Sequence, residues 1–281
     1  MPELPEVEIT ARLLDEALVG AQVESVLAPG INALKTIDPP LSALQGRRVL
    51  AVRRRGKHLI VEFSDGLALL IHLMSAGRLQ LYDTRAGPRD RTSRLLVRFG
   101  DGRELRLREF GSRQAAWVKL LPTDELGHDV AIATLGPEAW PDPPPLERVL
   151  DAPRPLHTLL RDQRTIAGIG RSWVDEILWS AMLSPFKRGE DLDEAERERL
   201  EDAITAKIAG ALAHYEQVVR LPIPDKLPMP LQVHRHEGQQ CPRCETVLRS
   251  VHFEDYVIAY CPACQTEGRT LKDRRLSKLL R

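Results

Sequence analysis

The chain has 281 residues, of which 43% are hydrophobic and 28% are charged, and its 40 basic residues balance 40 acidic ones. This length is sufficient for two domains with cores of their own, and the composition is ordinary for a globular protein. The longest apolar stretch, LALLIHLM at 67–74, is far too short to cross a bilayer, and no signal peptide is recognisable, so we expect a cytoplasmic protein without a membrane partner.

A net charge of zero argues against a nucleic-acid partner, but the charges are unevenly distributed. Segment 47–57 (RRVLAVRRRGK) carries six basic residues and no acid, and segment 269–281 carries six against one aspartate. Segment 189–202 is mostly acidic. Because a charge run is usually just a solvated face, neither basic run by itself establishes contact with phosphate.

The N-terminus, MPELPEVEIT, raises a question about its second and third residues. Residues 5–19 have apolar side chains at helical spacing and are followed by a glycine, which predicts a leading helix. Glu3, Glu6 and Glu8 lie where carboxylates favour a helix N-terminus. Methionine is normally removed before proline, and removal would leave Pro2 as a terminal secondary amine, which is a potential nucleophile. The rest of the sequence must decide between these two interpretations.

After the helix the apolar period changes from helical to alternating, which predicts strands. Asp-Gly steps between the alternating segments are strong signals for hairpins. The first half therefore reads as an antiparallel β-sandwich with one N-terminal helix. The predicted strands are 49–52, 58–63, 67–73, 78–82, 94–99 and 104–110.

A proline-rich stretch at 137–145 predicts an extended linker, because successive prolines provide no backbone donors. Beyond it the pattern is helical. The turn that contains Gly168 and Gly170 leads directly into a helix that begins at Arg171, where exposed amides could bind an anion. An ordinary packing corner between two helices explains the same motif equally well. The predicted helices are 146–150, 155–163, 172–183 and 193–219.

All the cysteines fall in the last 41 residues, in the pattern C-x2-C-x16-C-x2-C. Two pairs of thiolates at this spacing converge naturally on one tetrahedral zinc, and the residues between them alternate as a β-hairpin does. Redox-active pairs or two disulfides are the rival interpretations. Four thiolates leave no open coordination position, so we expect one structural Zn²⁺. The predicted ligands are Cys241, Cys244, Cys261 and Cys264.

These features occur in an order that closely resembles the formamidopyrimidine-DNA glycosylase and endonuclease VIII family of DNA repair enzymes. The resemblance rests on MPELPEVE, the lysine in RRRGKHL, the segment AGIGRSWVDEILW and the zinc hairpin, and it covers essentially the whole chain. MPELPEVE is closer to the formamidopyrimidine branch. The resemblance implies that Pro2 is the nucleophile, that Glu3 is the general acid and base, and that Lys57 holds a phosphate beside the lesion.

The resemblance also implies residues that fill the space left by a flipped nucleotide. Arg108 and Phe110 match the family's wedge, although alternation alone would make Phe110 a core strand residue. Met74 is offset by one residue from the family's methionine, which in a strand turns the side chain to the opposite face. It is therefore either a third wedge residue or a buried methionine.

Two further positions depart from the family pattern. Arg171 stands where the glycine-rich turn normally ends in a phosphate-binding asparagine, and Tyr256 stands where the zinc hairpin normally has a phosphate-binding arginine. Relative to the family pattern, the chain thus gains a cation at position 171 and lacks one at position 256. We hypothesise that Arg171 replaces the missing charge.

The fold class predicted from sequence and resemblance together is α+β: an N-terminal helix and antiparallel β-sandwich, then a helical domain with a helix-two-turn-helix motif and a C-terminal β-hairpin zinc finger. The predicted boundaries are 1–136, linker 137–145, 146–236 and 237–281. The expected function is a bifunctional DNA glycosylase and abasic-site lyase, monomeric and associated with the nucleoid, that acts on damaged double-stranded DNA. The alternative is a protein of the same fold that binds damaged or unusual DNA structures without excising bases. Lesion preference is open.

Overall fold

The computed structural model describes residues 2–87, 90–110, 114–253 and 256–272. By its internal contacts the chain divides into two compact units. The first unit comprises Met1–Thr134 with Leu212–Pro228, and the second comprises Leu135–Ala211 with Met229–Arg281. The predicted four-part division stays a prediction, but residues 212–228 group with the N-terminal unit and not with the helical segment that precedes them.

The first unit begins with α1, Leu4–Leu18. Glu3 is the N-cap and forms a reciprocal capping box with Glu6, while a proline occupies the first turn, where its missing N–H costs nothing. The helix ends before Gly20, whose φ of +85° suits glycine. The apolar face of α1 is buried and packs on the second strand.

Two four-stranded antiparallel sheets form the β-sandwich of this unit. One sheet has the order β1-β6-β7-β5 and the other has the order β2-β3-β4-β8. The strands are β1 Val23–Leu27, β2 Val49–Arg55, β3 His58–Phe63, β4 Leu67–His72, β5 Gly77–Tyr82, β6 Ser93–Phe99, β7 Glu104–Glu109 and β8 Trp117–Pro122. Their inward side chains, such as Leu69, Val97 and Leu107, are fully buried and make the core.

Comparison with the predicted strands gives several corrections. β1 and β8 are additional strands, which complete one edge of each sheet. β2 continues through the arginines to Arg55. β4 ends at His72 and β7 at Glu109, one residue earlier than predicted in each case, so Met74 and Phe110 lie beyond the strands.

Within the described residues, six α-helices follow the last strand of the sandwich, and most of them belong to the second unit. They are α2 Val130–Ala133, α3 Leu146–Leu150, α4 Leu156–Arg161, α5 Arg171–Ser180, α6 Glu194–Val218 and α7 Pro262–Thr266. All four predicted helices are present with small differences at their ends. α2 is a short additional helix of the first unit, and α7 is a single turn after the C-terminal hairpin.

The C-terminal hairpin pairs β9, Arg249–Phe253, with β10, Tyr256–Tyr260, in antiparallel register. It carries one cysteine pair before β9 and the other after β10, as predicted. The predicted fold class is thus confirmed. Among the helices of the described ranges, none is both long enough and apolar enough to cross a membrane. Residues 273–281 of the basic tail lie outside the described residues.

Candidate functional site

The N-terminal pair predicted to be catalytic lies at the start of α1. Pro2 is half-buried, and the Glu3 side chain is 1% exposed. The backbone N–H of Glu3 donates to Oε2 of Glu6 at 2.8 Å. This N–H belongs to the peptide that joins Pro2 to Glu3, so the Glu6 carboxylate fixes the orientation of both residues.

Glu6 is more than a helix-starting carboxylate, because it is buried and has a second partner from a distant part of the chain. The hydroxyl of Tyr215, near the end of α6, donates to Oε1 of Glu6 at 2.6 Å. Both side chains are almost inaccessible to solvent. Burial, and then the negative charge of Glu6, raise the pKa of Tyr215 far above its usual value, so the phenol remains protonated and donates. The capping role of Glu6 could be predicted, but the tyrosine could not.

Lys57 is buried and forms, together with Gly56 at a φ of +56°, the two-residue turn between β2 and β3. It lies close to an aromatic cluster that was not predicted, formed by His58, His72 and Trp117. The His72 ring stacks on Trp117 at 5.7 Å between centroids, with an interplanar angle of 13°. His58 begins β3, His72 ends β4 and Trp117 begins β8. Because these antiparallel strands are neighbours, the three rings meet at the same end of the sheet.

His72 is held as a neutral hydrogen-bond donor. Its Nδ1 lies 3.0 Å from the backbone nitrogen of Met74, which donates to it. Burial, and then the charges of His58 and Lys57, lower the pKa of His72 to about 3. A neutral imidazole that accepts at Nδ1 carries its proton on Nε2. Nε2 is therefore a donor in the vicinity of Lys57.

The basic run at 47–57 is largely neutralised within the first unit. Arg53 pairs with Glu62 at 2.6 Å, and the nearly buried Arg54 pairs with Glu8 at 2.7 Å. Burial opposes the charged form of Glu8, but the arginine hydrogen bonds outweigh it and hold the pKa of Glu8 below its usual value. Three arginines of this run, Arg47 included, are therefore engaged by acids of the same unit.

Arg108, a predicted wedge residue, is held in a polar network on β5 and β7. Its guanidinium donates to the Tyr82 hydroxyl at 2.7 Å, to Oε1 of Gln80 at 3.2 Å and to Oγ1 of Thr92 at 3.1 Å. Its Cζ lies 4.6 Å from the centroid of the Phe110 ring. Arg108 and Phe110 are thus brought together, and both remain partly accessible.

Met74 lies beyond the end of β4, so the argument from strand faces does not apply to it. Its φ is +49°, which is an uncommon left-handed conformation for a side chain of this size. The residue is half-buried and belongs to a turn that starts beside His72. Neither the wedge role nor the core role predicted for Met74 is tested by this position.

Segment 220–228, which follows α6, has an unusual proline pattern. Its one aspartate, Asp225, anchors it to β5. The backbone oxygen of Asp225 accepts from Nε of Arg78 at 2.5 Å. Its carboxylate Oδ1 accepts from Nε2 of Gln80 at 3.0 Å. The same amide of Gln80 donates to the carbonyl of Ile223, and Gln80 itself is 2% exposed. Gln80 therefore links the segment to Arg108.

The glycine-containing turn between α4 and α5 is braced by Gln163. Its Oε1 accepts from the N–H of Gly168 at 2.9 Å, and its Nε2 donates to the carbonyl of Ile169 at 2.7 Å. Gly168 has a φ of +108°, which only glycine adopts readily. Gly170 is the N-cap of α5, and Arg171 is exposed as the first residue of the helix.

Tyr256 is buried at the start of β10 and is surrounded by cations from the helices. The guanidinium of Arg161, at the end of α4, lies 3.6 Å from its ring centroid, and that of Arg171 lies 5.4 Å away. The His157 ring stacks on it at 5.2 Å with an interplanar angle of 12°. Arg171 and Tyr256, the two departures from the family pattern, are thus brought together, and Arg161 joins them as a residue that was not predicted.

The four cysteines meet at the base of the hairpin, with all their Sγ atoms within 4.8 Å of one another. The closest pairs are Cys244 with Cys264 at 3.4 Å, Cys244 with Cys261 at 3.5 Å and Cys241 with Cys264 at 3.9 Å. A tetrahedral zinc with Zn–S bonds of about 2.3 Å requires sulfurs about 3.8 Å apart. The quartet therefore fits a closed tetrahedral metal site.

One cysteine of the quartet accepts a hydrogen bond from a side chain of α5. Nε1 of the buried Trp179, on α5, donates to Sγ of Cys241 at 3.3 Å. Arg243 lies over the Trp179 ring at 4.5 Å and donates to the carbonyls of Trp179 and Ser180. Hydrogen bonds of this kind orient a ligand sulfur and tune its charge.

The β-sandwich with its buried N-terminal pair, the braced turn before α5 and the four-cysteine hairpin define the class of helix-two-turn-helix DNA repair glycosylases. The model of the formamidopyrimidine-DNA glycosylase N-terminal domain matches residues 1–113, and that of the formamidopyrimidine-DNA glycosylase H2TH domain matches residues 142–222.

Full-length relatives agree with both matches. The chain is 30% identical to the formamidopyrimidine-DNA glycosylase of Latilactobacillus sakei over 275 residues, with 94% of this chain and 98% of the relative covered. Identity to the same enzyme of Lactococcus lactis is 30% over 277 residues, with 94% and 99% covered.

Solved structures agree as well. A MutM structure in complex with DNA containing carbocyclic 8-oxo-G has a TM-score of 0.83 at 29% identity, with 94% of this chain and 100% of that chain covered. The Lactococcus lactis Fpg in complex with DNA containing an abasic site has a TM-score of 0.84 at 27% identity, with 94% and 99% covered.

The chain therefore belongs to the formamidopyrimidine-DNA glycosylase family, as its sequence motifs predicted. This membership supports the assignment of the chain as a DNA glycosylase of base-excision repair.

Proposed function

We propose that the protein is a bifunctional DNA glycosylase and abasic-site lyase that removes an oxidised base from damaged double-stranded DNA. The observation that carries this proposal is the pairing of half-buried Pro2 with a fully buried Glu3, held by a capping box at the start of α1. The proposal requires the removal of Met1, since an acylated proline nitrogen is not a nucleophile.

The first half of the mechanism is a substitution at the sugar. A terminal amine has a reference pKa of about 7.7 to 8.0, so far more of it is unprotonated at neutral pH than of a lysine. The Pro2 nitrogen bonds to C1′, the glycosidic bond breaks, and the base leaves with the electron pair and takes up a proton. Glu3 protonates the ring oxygen as the sugar opens, and the Pro2 nitrogen and C1′ then form a cationic Schiff base.

The second half is elimination. The iminium draws electron density from C2′, so a proton leaves this carbon and the 3′ phosphate departs. Loss of a further sugar proton then expels the 5′ phosphate. Glu3 is the base within reach of these protons, and hydrolysis of the remaining imine frees Pro2.

Cationic and donor groups would hold the backbone around the flipped nucleotide. Lys57 and Nε2–H of the neutral His72 form one phosphate-binding group in the first unit. Arg161 and Arg171, both on the ring of Tyr256, form another in the second unit, and they replace the arginine that the family has at position 256. A guanidinium that stacks on a ring keeps its donors in its own plane, where they suit a phosphate.

The amide of Gly170 at the turn before α5 would add a backbone donor to this second group, and Gly168, whose N–H is held by Gln163, would let the turn approach the DNA backbone closely. Arg108 and Phe110 would fill the vacated space in the duplex, with Met74 as a third candidate. The metal of the cysteine quartet would be one Zn²⁺, which folds the hairpin and takes no part in the chemistry because all four positions are occupied by thiolates. We propose that the enzyme acts as a monomer in the nucleoid.

Borohydride trapping on duplexes that contain an abasic site or 8-oxoguanine tests the function. We expect a covalent adduct with abasic DNA that Pro2→Gly abolishes. Pro5→Ala, which changes the proline in the first turn of α1 but keeps the terminal secondary amine of Pro2, is the control and should retain the adduct. Absence of an adduct on any duplex, with binding retained, would instead support a protein that recognises damage without excision. Mass spectrometry of the same sample establishes whether Met1 is removed.

A further inference from the structure

A continuous chain of hydrogen bonds joins the end of α6 to the N-terminus. The Tyr215 hydroxyl donates to Oε1 of Glu6 at 2.6 Å, and Oε2 of the same carboxylate accepts from the N–H of Glu3 at 2.8 Å. Tyr215 is completely buried, and the Glu6 and Glu3 side chains are 3% and 1% exposed. All three residues belong to the first unit.

We infer that Tyr215 is a positioning residue for the reaction, acting through Glu6 on the peptide that carries Pro2 and Glu3, and this inference rests on the proposed function. Tyr215 touches neither reacting group directly. Its hydroxyl holds Glu6 as a carboxylate in one orientation. The carboxylate then holds the amide N–H between the nucleophile and the general acid.

The charge on Glu6 is essential to this arrangement. A buried carboxylate needs several donors to remain ionised, and a phenol, an amide N–H and the positive end of a helix provide them here. The titratable groups that face Glu6 include Tyr215 from α6, Glu3 from its own N-cap and Arg78 from β5, whose charge interacts with that of Glu6. Of these, Tyr215 is the one that donates a short hydrogen bond to Oε1.

Loss of the Tyr215 hydroxyl should affect both the rate of the reaction and its dependence on pH. A merely structural role would not shift the pH dependence. Without its donor, the Glu6 carboxylate is protonated more easily, and protonated Glu6 is a weaker acceptor for the Glu3 amide. The rate of Schiff-base formation should therefore fall, and its acid limb should move to higher pH. Binding of DNA should change little, because Tyr215 is buried and does not face solvent.

The experiment measures single-turnover borohydride trapping of an abasic-site duplex by the full-length protein from pH 5 to 9. The variants are Tyr215→Phe, Glu6→Gln and the double variant. Tyr260→Phe is the matched control, since it also removes the hydroxyl of a buried tyrosine, in this case one that accepts from the backbone N–H of Leu271 in the second unit. Affinity is measured separately on a duplex with a tetrahydrofuran abasic analogue, and folding is checked by thermal melting.

We expect Tyr215→Phe to slow trapping about ten-fold and to move the acid limb up by about one pH unit, as expected for one lost hydrogen bond to a charged group. Glu6→Gln should remove the limb, and adding Tyr215→Phe to it should cost little more. A folded Tyr215→Phe with the rate and pH profile of the wild type, or additive effects in the double variant, overturns the inference. Absence of an adduct with the wild type refutes the proposed function itself and the role of Tyr215 with it.

Discussion

Replacement of Arg161 by alanine gives the most direct test of how the second unit holds DNA. The guanidinium of Arg161 lies 3.6 Å from the centroid of the Tyr256 ring, closer than that of Arg171 at 5.4 Å. If each of these cations neutralises one phosphate, removing one of them should reduce the slope of log affinity against log salt by about 0.9. The reduced slope is the quantity to measure.

The slope difference converts into affinity directly. A change of salt from 50 to 200 mM is four-fold, and four raised to the power 0.9 is about 3.5. Over this range the wild type should therefore lose about 3.5-fold more affinity than Arg161→Ala. The variant Arg161→Ala/Arg171→Ala should reduce the slope by about 1.8.

Fluorescence anisotropy on a duplex with a tetrahydrofuran abasic analogue, measured at several salt concentrations, provides the slopes. Arg161→Lys keeps the charge and should keep the slope, although it loses the planar stack. Arg188→Ala removes the same charge from an exposed arginine paired with Glu190 at 3.2 Å, and it should leave the slope unchanged. Equal slopes for Arg161→Ala, Arg188→Ala and the wild type would refute the assignment of Arg161 to phosphate.

Two predictions concern stability. Oε1 of the buried Glu176 accepts from the backbone N–H groups of residues 232, 233 and 234. Glu176→Gln should therefore lower the free energy of unfolding by about 2 kcal/mol and Tm by about 5 °C. An unchanged thermal melt would contradict this account. Burial lowers the pKa of His58 to about 4 and that of His72 to about 3. From pH 6.5 downward the unfolded chain therefore takes up protons that the folded chain excludes, and the free energy of unfolding should fall by up to about 1.36 kcal/mol per pH unit for each histidine. Urea unfolding of His72→Gln at pH 7 and pH 5 should have a smaller pH dependence than the wild type, and an equal dependence would disprove it.

Features that depend on short-range patterns could be predicted from the sequence. The cysteine spacing, the hairpin turns and the capping carboxylates are each determined within a few residues, and the structure contains all of them. The ends of the strands were harder to predict from the sequence. β4 and β7 each stop one residue early, so Phe110 left the predicted strand, and the face predicted for Met74 has no meaning outside a strand.

The partners of the candidate catalytic residues could not be predicted, because they come from distant parts of the chain. Tyr215 reaches Glu6 across 209 positions of sequence, and no local pattern connects them. Arg161 similarly appears in sequence as one more arginine at a helix end, and only the position of Tyr256 beneath it gives it a role. The basic run at 47–57 suggests contact with phosphate in the sequence, but its arginines mostly pair with acids of the same unit.

The contact between Trp179 and Cys241 gives the molecule an optical reporter of the cysteine quartet that we propose to hold a metal. The emission of an indole responds to nearby charge, and the N–H of Trp179 donates to the sulfur of Cys241 while Lys207 and Arg243 contact its ring. Loss of the metal changes this charge. The state of the hairpin can therefore be followed, without a label, in the share of the emission that comes from Trp179, one of the four tryptophans of the chain.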